Sequence, residues 1–144
     1  MSYERTIEQY KICLDMAEKV TERRLKTNSF FIGLISAIVS LLSMAISSSF
    51  FVESRTAVVF FLWIFCLLIC WAWICSIDSY KKLNSAKFRI ILELEKELKH
   101  ACLASEWEKL KHDAKYTRLS DNEKRIPRIF AIFISLFSIA YIIF

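Results

Sequence analysis

Hydrophobic and polar positions separate into long blocks along this chain. Residues 29–52 carry no charged side chain, and after only Glu53, Ser54 and Arg55 a second uncharged run covers residues 56–77. At ~1.5 Å per helical residue, each run is long enough to cross a hydrocarbon core ~30 Å thick. Two such runs with almost no gap predict a transmembrane helical hairpin, with span 1 at 29–52 and span 2 at 56–77. The first 28 residues are polar and amphipathic: Tyr3, Ile7, Tyr10, Leu14, Ala17 and Thr21 recur at alternating spacings of four and three, which is a heptad seam. No breaker separates this helix from span 1, so one continuous helix is expected.

Beyond span 2, Tyr80, Asn84, Lys87, Ile91, Leu94 and Leu98 extend a heptad-like face through polar surroundings. The simplest structure is one long helix from about residue 56 to 100, reaching ~65 Å. The segment from 101 to 125 lacks a clear period. Within it, Glu106-Trp107 places an aromatic ring in a charged neighbourhood, and Ser120 with Glu123 fits a capping box. Pro127 then falls early in the next helix, where its missing N–H costs little. Residues 129–144 are all uncharged. With Ile126 and Pro127 included and Arg128 snorkelling, residues 127–144 can just form a third span.

The fold class expected is therefore all-α: an integral membrane helical protein with a hairpin, a third C-terminal span and helices extending into the cytoplasm. The 144 residues form a single membrane domain. One Gly and one Pro leave little turn chemistry. A cleaved signal peptide is not expected, because the first apolar run is too long for an h-region.

Charge sets the orientation. Of the 20 Lys and Arg, only Arg55 lies between the two runs. The positive-inside rule then places the N-terminus and residues 78–126 in the cytoplasm, with the C-terminus on the outer side. The net charge of +5 comes from segments where acids and bases alternate. That pattern fits a membrane surface and lipids better than nucleic acid.

Span 1 carries Gly33, Ser36, Ser40, Ser43 and Ser47 at spacings of three and four. Such a stripe lets helix backbones approach closely, or it lines a narrow polar path if several subunits surround an axis. In the third span, Ala131, Ser135 and Ser138 form another small-residue stripe suited to packing on the hairpin. Trp71 and Trp73 fall near the end of span 2, where an aromatic belt anchors a helix at the interface. Tyr80, Asn84, Glu106, Trp107 and Tyr116 are the candidates for a cytoplasmic subunit contact.

Enzyme signatures are absent, since a chain with one glycine cannot build a phosphate-cradling loop. No acid lies inside the spans to relay protons, and no cofactor or small-molecule substrate is implied. His100, Cys102 and His112 could be drawn together as a metal site, although solvated histidines are commoner. Cys13, Cys66, Cys70, Cys75 and Cys102 read as packing residues in a reducing compartment.

Several of these residues, in order, resemble a known family. Glu22-Arg23-Arg24 and Asn28-Ser29-Phe30-Phe31 are similar to the entry to the first span in the RipA-like octameric membrane proteins of bacteria. So are Ser79-Tyr80 and Leu83-Asn84-Ser85-Ala86-Lys87-Phe88, Glu106-Trp107, and Tyr116, Leu119-Ser120, Glu123 and Ile126-Pro127. The resemblance implies a small inner-membrane protein assembling as a homo-octamer, and no established chemistry. More loosely, the first two spans resemble the SLATT two-helix membrane modules, which implies a pore-forming effector in bacterial conflict. Two functions follow as expectations: a structural assembly, or an oligomeric pore.

Overall fold

A computed structural model describes residues 3–47, 55–98, 100–112 and 119–143. All of its regular structure is helical. Helix α1 runs Tyr3–Ser47 and α2 runs Arg55–Glu95. These two arms, 45 and 41 residues long, extend about 67 and 61 Å at the rise of an α-helix. Short helices α3 (Cys102–His112) and α4 (Leu119–Glu123) follow, and α5 occupies Arg125–Ile143.

The polar N-terminal helix and the first apolar run are one uninterrupted α1, because nothing between them breaks helical geometry. Both α1 and α2 contain a stretch apolar enough to cross a membrane. Helix α2 ends before residue 100. Lys96, Glu97 and Leu98 each donate a backbone N–H three residues back rather than four, which tightens the last turn and closes the helix.

α1 and α2 lie antiparallel along most of their length. Tyr10 meets Glu95, Thr27 meets Tyr80, and Asn28 meets Trp73. Their shared seam is apolar around Ile35, Ile38, Cys66, Ile69, Cys70, Trp73 and Ile77. Toward the N-terminus of α1 the buried positions are Thr6, Ala17, Val20 and Arg24. This is a heptad seam displaced by about one residue from the apolar reading, and Tyr3 is exposed. The displacement has a polar cause: Thr6 and Tyr10 reach acids at the end of α2, and Arg24 reaches Glu123.

Helix α5 packs antiparallel to α2 beside the same apolar stretch. Trp63 donates to Ser135 at 3.2 Å, and Ile134 joins the apolar core. The helix is interrupted at the single residue Lys124, between α4 and α5. Ser120 accordingly lies inside α4 and is buried, rather than opening the helix as a cap. Pro127 sits in the first turn of α5, where no N–H is required.

Candidate functional site

Three features stand outside simple helix packing: a polar collar at the end of the apolar stretch, a clamp at the far end of α2, and an unpartnered face of α1.

The collar joins three elements. Arg24 of α1 lies 3.6 Å from Glu123 of α4, with both side chains nearly buried. Lys81 of α2 donates to Asp121 at 2.8 Å, and Lys124 pairs with Asp78. The Lys124 hydrogen bond, aided by the positive charges of Lys124, Lys81 and Lys82, holds the Asp78 carboxyl below its ordinary value. The hydroxyls of Thr27 and Tyr80 meet at 3.0 Å. Every link crosses between elements, so the collar fixes how far α4 and α5 sit along the hairpin.

The clamp centres on Glu95, which is 1% exposed. Its carboxylate accepts the Tyr10 hydroxyl at 3.1 Å and the backbone N–H groups of Leu103 and Ala104, each at 2.8 Å. Those N–H groups belong to the first turn of α3, where a helix has no internal acceptors of its own. Glu95 therefore caps α3 from another helix and complements its dipole. Burial, then the bond to Glu95, raises the Tyr10 phenol above its ordinary value. A carboxylate at the end of a heptad run reads as solvated surface, so nothing in local sequence pointed to it.

A cleft of about 660 Å³ opens between the collar and α3. Arg24, Asn84, Arg89, Glu106 and Trp107 are on its walls. The Nε of Arg24 and the Oδ1 of Asn84 are buried there without a hydrogen-bond partner. Of the residues read as a cytoplasmic contact, Asn84, Glu106 and Trp107 thus share one cleft. Tyr80 instead turns toward Thr27, and Tyr116 lies outside the described residues.

The two tryptophans at the end of the apolar run separate. Trp71 is 67% exposed, as an interfacial anchor would be. Trp73 is 1% exposed. It stacks on Phe31 at 5.7 Å between ring centroids and donates to Asn28 at 2.9 Å. It packs within the chain rather than on a lipid-facing surface, because an indole N–H at that depth needs an acceptor and Asn28 supplies one.

Gly33, Ser36, Ser40, Ser43 and Ser47 are all exposed, on the side of α1 away from its own seam. A Cβ built on Gly33 would meet nothing within 4 Å. The hydroxyls of Ser36, Ser40 and Ser47 donate to carbonyls one turn back, at 2.9, 2.9 and 2.6 Å. Their donors are thereby satisfied without a partner helix. Ala131, Ser135 and Ser138 instead line the packed side of α5. Ser138 is wholly buried, and Ser135 accepts from Trp63.

Among the described residues no cluster of His, Cys, Asp or Glu could hold a metal ion. Cys102 opens α3 and His112 ends it, about 15 Å apart along a helix axis. That separation keeps the two from sharing a site within one protomer.

No curated protein and no solved structure matches the chain. The model of the octameric membrane protein family matches residues 7–143. With nearly the whole of its length covered, helices, collar and clamp included, the chain belongs to the octameric membrane protein family.

Proposed function

We propose that the chain is one subunit of a homo-octameric, multi-pass assembly in the bacterial inner membrane, acting as a structural scaffold without catalytic activity. The observation that carries this reading is the asymmetry of the free faces. In the apolar stretch, α5 turns Phe133, Leu136 and Phe137 outward, and α1 itself turns Leu41 and Met44 outward beside its stripe, side chains suited to lipid. The exposed stripe of α1 offers only Gly and Ser there. Lipid tails gain nothing from a small-residue groove, whereas a second helix gains close packing along it. Membership of a family named for its octamers supplies the number eight.

Helix α5 serves as a third span in this reading. Its 19 residues cover about 28 Å, and it lies beside the same apolar stretch of α2. The collar, the clamp and the cleft then face the cytoplasm with the N-terminus, in keeping with the Lys and Arg distribution.

The test uses purified particles in lipid nanodiscs, weighed by native mass spectrometry. Wild-type protein gives the octamer mass. Gly33→Leu fills the groove and lowers the mass to smaller species, while protomer helicity is unchanged, since a Cβ at that position meets nothing within 4 Å in the protomer. An octamer that survives both Gly33→Leu and Ser40→Asp would remove the stripe from the interface. A Ser40→Asp particle that stays assembled and alters ion flux through liposomes would favour the pore instead.

A further inference from the structure

The α1 stripe does not end at the membrane. Continued toward the N-terminus in the same phase, it passes through Lys26, Glu22, Lys19, Asp15, Ile12 and Glu8, all exposed, with an acid at every seventh residue. Helix α2 has an outward stripe of its own, exposed throughout and directed away from both α1 and α5. It begins with Phe61, Phe65 and Leu68 and continues beyond the apolar stretch. There it carries Lys82, Arg89, Glu93 and, one residue past the helix, Lys96, with a base at every seventh residue and Glu93 level with Ile12 of α1.

The register within the protomer says which of these positions share a height. Thr6 meets Glu97, Tyr10 meets Glu95, Thr27 meets Tyr80, and Asn28 meets Trp73. The two numbers in each pair add to about 104, within a helical turn. By that rule Glu22 is level with Lys82, Asp15 with Arg89 and Glu8 with Lys96. Ser43, Ser40 and Ser36 are level with Phe61, Phe65 and Leu68. Gly33 is level with Ala72, the smallest positions of the two stripes within the apolar stretch.

From this register we infer that the α1 stripe of one subunit packs on the α2 stripe of the next, in a head-to-tail ring. Subunits related by a rotation axis along the membrane normal sit at equal heights, so level positions are the ones that meet. The three acids then face three bases, as e and g positions do in a coiled coil. The rings of Phe61 and Phe65 enter the small-residue groove. The alternatives fail on charge: an α1–α1 contact sets Glu22 against Glu22 and Asp15 against Asp15, and an α2–α2 contact sets Lys82 and Arg89 against themselves. A heterologous contact also closes into rings of any order, whereas an isologous one stops at a pair. Asp15 already holds an exposed bond to Lys19, an exchange that costs little in water. The inference rests on the octameric reading above and adds its geometry.

Cysteine cross-linking tests it, because Ser29 is level with the exposed native Cys75. Ser29→Cys particles oxidised with copper phenanthroline should give a ladder of covalent species up to the octamer, and Cys75→Ser should abolish it. Dimers alone that persist with Cys75→Ser would show an α1–α1 contact and overturn the inference. So would an intact octamer that forms no cross-link at all. A monomer mass before oxidation would instead overturn the octameric reading. Charge reversal gives an independent measure. One chain carries Glu8→Lys, Asp15→Lys and Glu22→Lys, and another carries Lys82→Glu, Arg89→Glu and Lys96→Glu. Each alone should fail to form the octamer. Co-expressed with different tags, the two should recover it as a mixed particle. Failure to mix would overturn the pairing.

Discussion

One heptad seam between α1 and α2 is built in two chemistries. In the apolar half, Ile35, Ile38, Ile69 and Ile77 surround Trp73, and among the described residues only the Trp73–Asn28 side-chain bond crosses from α1 to α2 there. In the polar half, hydroxyls and carboxylates do the joining: Thr6 to Glu97, Tyr10 to Glu95, Thr27 to Tyr80. Apolar packing in lipid is permissive of sliding, since neighbouring registers bury similar groups and lipid competes on equal terms. Polar pairing tolerates no such slip, because a one-turn shift leaves buried donors and acceptors without partners. The apolar half therefore supplies adhesion and the polar half supplies register.

That division can be broken from either side. Trp73→Ala should have the largest effect, about 4 kcal/mol by analogy with large-to-small core substitutions. It is read as a lower midpoint of unfolding in detergent, with the polar half separating in the same transition. Glu95→Gln comes next at about 2 kcal/mol, the scale for weakening several charge-assisted bonds at once. Here hydrogen exchange should rise at Leu103 and Ala104 while the backbone around Trp73 stays protected. Equal deprotection of both halves would contradict the division of labour. Trp73→Phe keeps an aromatic ring and strands the Asn28 carbonyl, costing about 1 kcal/mol and leaving helicity unchanged. The smallest effect is acid release of the collar. The carboxyl of Asp78 titrates below its ordinary 3.8 when folded, so the folded chain binds that proton more weakly than the unfolded chain. The contribution is present above about pH 4 and lost as pH falls through the folded value. Exchange at Lys124 and Arg125 should then increase, and Asp78→Asn should remove that pH dependence.

The all-helical class and the two long apolar helices were legible from charge spacing alone, because a membrane-length run has few other solutions. The face through Tyr80, Asn84, Ile91 and Leu94 could also be read, since α2 continues without a breaker. The phase of the α1 seam could not. Its true members include Thr6 and Arg24, and polar residues are buried only when a distant partner receives them. Trp73 illustrates the same limit: its neighbourhood in sequence marks an interface, while Asn28, 45 positions away, draws it inward. The Lys124–Asp78 pair was hidden too, because its two members lie far apart along the chain. For the candidate site, the stripe of Gly33 and the serines was visible as a pattern. The Glu95 clamp was not, because capping from another helix leaves no local signature.

The hairpin also has a direction in time. Its two arms pair residues ever farther apart in sequence, from those beside the short connection out to Thr6 and Glu97, which are 91 positions apart. Loop-closure entropy rises with that separation, so closure favours zipping from the connection toward the ends. During synthesis the first turns of α1 have no acceptor until Glu95 and Glu97 emerge. When they do, Glu97 engages Thr6 and Glu95 engages Tyr10, and the start of α3 joins Glu95 as it follows. The clamp at Glu95 is thus the last tooth of a zipper, and fastening it marks the moment at which the hairpin is complete.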